Sequence, residues 1–376
     1  MITKKRCLRC NWREMSITPF TNNCCMFKKF IFVSGLLLVV SCEKNEDRGV
    51  ADLDILFAKQ KTITLETEGY LSVRFMEVNE RGELLVTGRR DEVILFSETG
   101  EQIRNLGESA QENYPGLNWS PNRAVFLQDG SIFVQNNAPW GIFFDRKGHY
   151  EKIAPSEFHV SNRFTADTDH IFYSMEITPA GTYIRQLNED GDEMWRFDDV
   201  PERFINLMQR FRVGNQFVAD DRFLFFTMVA EPDLFRLDLE EGELSRFKNP
   251  PSYVNRARED ISSLQQVGAA GMAAEISEFS DEYTSTYSLH WLTDSLLLIQ
   301  YQNRWEVVDG NAGFGLQIVT TDGSFPMEAD LLTDEWMVTA GNGMIYTMER
   351  SDDAYASPMF NAYRLKDSFI ERIEAE

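Results

Sequence analysis

One stretch, Arg123 to Ile153, limits the possible folds more than any other: RAVFLQDGSIFVQNNAPWGIFFDRKGHYEKI. A β-prone run leads into Asp129-Gly130, resumes, breaks at a short loop, resumes again and meets Lys147-Gly148 before a final run. Such Gly-bearing pairs between apolar runs mark hairpins, because glycine accepts the positive φ that a tight turn demands. Four short antiparallel strands cannot bury both of their faces alone, so a unit of this kind has to be repeated.

The chain does repeat it. Arg81-Gly82 and Thr99-Gly100 punctuate an earlier unit over 71–105, and Gly82 to Gly100 spans eighteen residues, as does Gly130 to Gly148. Later units fall over 164–197, 216–247, 289–328 and 336–373. Their turns stand at Thr168-Asp169 and Asp190-Gly191, Asp220-Asp221 and Glu241-Gly242, Asp294-Ser295 and Asp322-Gly323, Asn342-Gly343 and Lys366-Asp367. The runs ELLVTG, SIFVQN, HIFYSM, RFLFFT, SLLLIQ and MIYTME correspond across the six units. Uninterrupted apolar runs are expected of strands covered on both faces. The expected fold is therefore all-β: a six-bladed β-propeller of four-stranded antiparallel blades over 60–376. An alternating strand at 61–68 (KTITLETE) stands before the first unit and is expected to close the ring by joining the last blade.

Two segments depart from the strand pattern, as short helical insertions between blades. Pro201 to Gly214 carries Phe204, Leu207, Met208 and Phe211 at helical spacing, with Pro near its start and Gly at its end. Residues 250–286 carry Val254, Ala257, Ile261, Leu264 and Val267 at similar spacing, followed by an acidic stretch. Both insertions either cap the ring or contribute to a binding face.

Before the propeller lies a leader. From Met26 the chain reads MFKKFIFVSGLLLVVSC: two lysines, an apolar run and small residues before Cys42. This is the order of a secretory signal, and the apolar run is short for a membrane span. Val39-Val40-Ser41-Cys42 resembles the lipobox of bacterial lipoproteins. That resemblance implies a signal peptide over 26–41, lipidation of Cys42, and a polar tether over 42–59. Residues 1–25 fit no part of the signal and read as an over-extended gene start. All five cysteines lie at or before Cys42, so no disulfide framework or Cys-ligated metal site is expected in the propeller. Glu43, Glu46 and Asp47 after the lipobox Cys resemble the export signals of surface lipoproteins in Bacteroidetes-like bacteria. The expected location is the outer membrane, on its periplasmic or surface face.

The formal net charge of -23 argues against nucleic-acid partners and against electrostatic docking on anionic lipid. The membrane link would come from the lipid.

Residues 106–136 resemble the repeat of NHL-type six-bladed propellers. Gly107, Pro115-Gly116, Pro121 and Asp129-Gly130 stand where that family has a Gly-bearing loop, a Pro-Gly step, an apolar-Pro pair and a D-G turn. Propeller lipoproteins of this type are common in Bacteroidetes-like bacteria. The resemblance implies the fold and carries no catalytic residue with it.

The sequence holds no catalytic motif. His149, His159, His170 and His290 are scattered, with no metal-ligand spacing between any two; His149 reads as exposed and His290 as a hydrogen-bonded core residue. Neither a nucleophile elbow nor a phosphate-cradling glycine loop is present. Some six-bladed propellers are metal-dependent lactonases, and Glu77, Asp167 and Asp220 are the candidates here for an acidic site on the axis that could take Ca²⁺ or another divalent metal. That alternative depends on strand register, since a one-residue slip turns a side chain to the other face. The preferred expectation is a non-enzymatic binding or scaffolding module that needs no cofactor and engages a protein or carbohydrate of the envelope. Loop aromatics Tyr114, Trp119, Trp140, Tyr253 and Tyr355 are its candidate contacts, because such side chains bury large area with few rotors. The opposing expectation is that several of them pack between blades.

Overall fold

The computed structural model describes residues 50–375 apart from 68–70, 138–140, 156, 162, 168–169, 179–180, 201–215, 230, 249–250, 252–253, 255–282, 303–312, 328–329 and 349–356. Cys42, Trp140, Tyr253, Tyr355, the 201–214 segment and most of the 250–286 segment lie outside the described residues.

Six antiparallel sheets follow one another along the chain, and the expected six-bladed propeller is what they build. The first two blades fall where the turn spacing puts them. Blade one comprises Val73–Val78, Leu84–Gly88, Val93–Phe96 and Gln102–Asn105. Blade two comprises Pro121–Phe126, Ile132–Asn136, Gly141–Phe144 and Tyr150–Ile153. In each blade the first strand lies innermost, and a tight turn returns the chain to the second.

The unbroken apolar runs have a direct physical cause. Along the second and third strands of blade one, Leu84, Val86, Ile94 and Phe96 pack toward blade six, against Val338, Tyr346 and Phe360. Their neighbours Leu85, Val93 and Leu95 point the other way, toward Ala124, Ile132 and Phe144 of blade two. A period of two that feeds two cores leaves no polar face, so the strand reads as continuously apolar. Among the described residues, each junction between successive blades holds its own cluster. The junction of blades two and three is mostly aromatic. There Phe133 meets Phe143, Phe158, Phe164 and Phe172 at centroid distances of 4.8–5.6 Å.

Ring closure follows the expectation, with the closing strand four residues earlier than 61–68. Phe57–Thr64 pairs antiparallel with Met359–Leu365 as the outer strand of blade six, which also holds Trp336–Gly341 and Met344–Met348. Gly100, in the last turn of blade one, sits against this strand with φ of 93°. A Cβ there would fall 2.3 Å from the Thr64 carbonyl oxygen. Glycine is required by both the conformation and the space.

Three details depart from the sequence reading. Lys366-Asp367 is not a hairpin turn, because the edge that a fourth strand would use is already taken by Phe57–Thr64. Instead Asp367–Ala375 forms a helix that packs Phe369, Ile370 and Ile373 on the core between blades five and six. Blade five runs from Ser285 to Thr333 rather than 289–328, its outer strand being Asp330–Thr333. Val50–Ala51 adds a short parallel strand at that edge. Finally, Leu106–Asn113 is a helix where the NHL-type pattern has a loop. Asn105 caps it, its Oδ1 accepting from the backbone N–H groups of Gly107 and Glu108, and Leu106 and Ala110 are buried.

Candidate ligand site on the propeller axis

The six inner strands end in turns whose side chains ring one mouth of the axis. Several of these turns are held by a side-chain oxygen that accepts from backbone N–H groups within the turn. Asn79 Oδ1 takes Arg81 and Glu83, each at 3.0 Å. Asp129 Oδ1 takes Ser131 N–H at 2.8 Å and its hydroxyl at 2.5 Å. Asp167 Oδ1 takes Ile171 at 3.0 Å, and Asp220 Oδ1 takes Arg222 at 2.8 Å and Phe223 at 2.5 Å. Burial alone would raise Asp129, but the two Ser131 bonds and nearby His170 and Arg146 hold it below the usual carboxylate range. The acidic character of this mouth thus comes largely from turn chemistry.

Behind the mouth lies a cavity of about 650 Å³ to which every blade contributes. Glu77, Arg123, Ala166, Val218, His290 and Ala340 come from the six inner strands in turn. The Arg123 side chain is 4% exposed and Glu77 25%, and Arg123 Nη2 donates to Glu77 Oε1 at 3.1 Å. Arg123 Nη1 donates to the Phe164 carbonyl at 2.8 Å, and its guanidinium lies 5.0 Å from the Phe164 ring and 6.0 Å from that of Phe75. Burial pushes the Glu77 carboxyl above its usual range, and Arg123 only partly offsets this. Glu77 Oε2 receives no hydrogen bond within the described residues.

His290 is the other unusual group. It is 6% exposed, neither ring nitrogen makes a hydrogen bond within the described residues, and Nε2 is buried without a partner. Burial, aided by the charge of Arg123, pushes its imidazole down to about 3, so the ring is neutral at physiological pH. The expectation of a hydrogen-bonded core histidine is therefore corrected: His290 is buried, but it lines the cavity with its polar atoms unused. An inner strand that must face both a core and a channel explains how it arises. Next to it, the half-buried Trp291 forms part of the wall and donates Nε1–H to the Ala219 carbonyl at 3.2 Å.

The three acidic candidates all line this cavity. Each is also engaged locally: Glu77 by Arg123, Asp167 by Ile171 and by the Tyr173 hydroxyl at 2.9 Å, and Asp220 by its own turn. Among the described residues, no three His, Cys, Asp or Glu side chains gather closely enough to hold a metal ion. Tyr114 and Trp119 lie elsewhere, on the connection from the outer strand of blade one to the inner strand of blade two. Tyr114 is 44% exposed. Trp119 packs on the core between these blades, edge-on to Phe144, and donates Nε1–H to the Asp91 carbonyl at 2.7 Å. Away from the cavity wall, His149 is exposed and bonded through Nδ1 to Asp145 Oδ2 at 2.9 Å.

Sequence reasoning missed Arg123 as part of the site. The available signal was an arginine inside an apolar inner strand, RAVF, where a neighbouring blade must supply its counter-charge.

No family model matches this chain, and no curated protein matches it. Solved structures do. A protein of Bacteroides fragilis described as exported is 10% identical, with a TM-score of 0.56 over 84% of this chain and 97% of that one. The WD40 repeats of RRP9 are 8% identical, with a TM-score of 0.48 over 83% of this chain and 99% of theirs. A Bacteroides caccae protein of unknown function is 10% identical, with a TM-score of 0.43 over 71% and 84%. At such identities the likeness to the B. fragilis protein is one of fold, a likeness that agrees with the six blades seen here.

Proposed function

We propose that this protein is an exported, lipid-anchored propeller of the cell envelope that works as a binding or scaffolding module, with the axial cavity and its ring of turns as the binding surface. The carrying observation is the cavity itself: all six blades contribute to it, and Glu77, Arg123 and His290 are among the side chains that line it. Export is supported by the leader over 26–41 and by the description of the B. fragilis protein. Anchoring rests on the lipobox before Cys42. In this reading the lipid holds the propeller at the outer membrane, and the polar tether separates it from the bilayer.

Two measurements test the two halves. Cys42→Ala is expected to abolish incorporation of radiolabelled palmitate and to move the protein from the membrane to the soluble fraction; an unchanged distribution sinks the anchor. For binding, Thr165 lines the cavity from the inner strand of blade three, and Thr165→Trp places a large ring there. Envelope partners crosslinked to the wild type should be lost from this variant, and partners kept at full yield would place binding elsewhere on the ring.

A further inference from the structure

We infer that the axial cavity takes an uncharged, hydroxyl-rich small molecule, a neutral saccharide, with Glu77 and His290 as its hydrogen-bonding contacts. The inference rests on the cavity being the binding surface proposed above, and it names the chemistry of what enters.

Charge balance selects the class. Arg123 and Glu77 already neutralise one another inside the cavity, and His290 carries no charge. An anion would need Arg123, two of whose donors are engaged by Phe164 and Glu77, and at the mouth it would face Glu80, Asp129, Asp167, Asp220 and Asp294, which outnumber Arg81 and Arg146. A cation bound to Glu77 would share a single carboxylate with a guanidinium 3.1 Å away. Two cations sharing one half-buried carboxylate leave a net positive charge beside it, which is unfavourable. A neutral ligand escapes both penalties.

Unused hydrogen-bonding capacity selects the functional group. Glu77 Oε2 accepts only, whereas His290, whose Nε2 is closed off from solvent, can offer the cavity only Nδ1. A hydroxyl both donates and accepts, so neighbouring hydroxyls on one ring can satisfy Glu77 and His290 together. A cavity of about 650 Å³ lies within the range that encloses drug-sized ligands. Asp167 and Asp220 complete the surround, their side chains fixed by bonds to their own turns.

The test uses the detergent-solubilised full-length protein. Titration calorimetry is run with glucose, galactose, mannose, xylose, maltose and cellobiose, and with glucosamine and glucuronate as cationic and anionic counterparts. At least one neutral sugar should bind, with the charged counterparts at least about tenfold weaker. Glu77→Met, which leaves no polar atom for the hydroxyl, and His290→Phe should each weaken the neutral sugar by about tenfold or more, as expected when one hydrogen bond is lost. Thr165→Trp, which leaves both contacts in place, should weaken binding about tenfold or more by narrowing the space, and it serves if either of the other variants fails to fold. Tighter binding of glucosamine or glucuronate than of the neutral sugars overturns the inference. So does neutral-sugar binding that survives all three substitutions, or binding by none of the neutral sugars. A partner crosslinked in a Thr165-dependent way without sugar binding would sink the saccharide and leave the binding module standing; loss of both would sink both.

Discussion

Arg123 on the axis and Arg246 in blade four both sit beside carboxylates in poorly solvated surroundings, yet their settings differ. Arg246 reaches two acids at once, with Nη2 2.6 Å from Glu231 Oε1 and Nε 2.7 Å from Asp233 Oδ2. Those carboxylates are 6% and 0% exposed, while the arginine side chain keeps 33% exposure. On the axis the arginine is the enclosed partner, it touches one carboxylate through one bond, and the acid keeps an oxygen toward the cavity. The blade-four cluster is closed and ties the third strand to the outer one. The axial pair is open and lies next to a histidine whose nitrogens are unused. An ionic group that only stabilises tends to have every lone pair occupied, whereas one held ready for a ligand keeps some free.

Removing each arginine separates the two cases. Arg246→Met strands two buried carboxylates and should cost about 3 kcal/mol or more, read from urea denaturation. Arg123→Met takes a donor from the Phe164 carbonyl and strands Glu77, which can take water or a proton through the cavity, and should cost about 1–2 kcal/mol. Equal losses would break the distinction between a closed and an open pair.

His290 gives the next largest effect, and it depends on pH. Its folded value of about 3 lies below the ordinary 6.5, so the unfolded chain takes up the proton first on acidification. Its contribution is complete above the ordinary value and is lost as pH falls toward the folded one. Between neutrality and about pH 5 the loss should approach 2 kcal/mol. Glu77 runs the opposite way: its raised value makes its contribution greatest at low pH and smaller as pH rises through that value. Comparing His290→Phe with the wild type isolates the histidine. Relative to the wild type, the variant should gain stability by this amount on acidification, and parallel pH profiles would show that the imidazole is not desolvated.

The sequence makes the blades legible because turn and strand chemistry are local. Asp129-Gly130 and Lys147-Gly148 mark hairpins, and the alternation in LLV and VILF feeds two cores at once, which periodicity alone reports. The closing strand is legible for the same reason, although Lys366-Asp367 misleads until that strand is seen to occupy the edge. The axial candidates are half legible. Glu77, Asp167 and Asp220 line the cavity, each at or near the end of an inner strand, but the sequence alone left their register open. The pairing of Glu77 with Arg123 joins residues forty-six positions apart on adjacent blades, and no local signal reports that. Nor does a single histidine in STYSLHWLT disclose that its nitrogens meet no partner.

The smallest effect concerns the mouth. If the carboxylates there serve mainly as turn caps, an amide should replace one without loss. Asp220 Oδ1 accepts from the N–H groups of Arg222 and Phe223, and an asparagine carbonyl oxygen can occupy the same position. Asp220→Asn should therefore keep stability within about 0.5 kcal/mol, while Asp220→Ala, which leaves both N–H groups without that acceptor, should cost about 1 kcal/mol. Urea denaturation of the pair decides the matter. A loss with asparagine as large as with alanine would show that the charge itself is needed at this mouth, and the contrast with the charge-dependent cluster around Arg246 would then narrow to geometry alone.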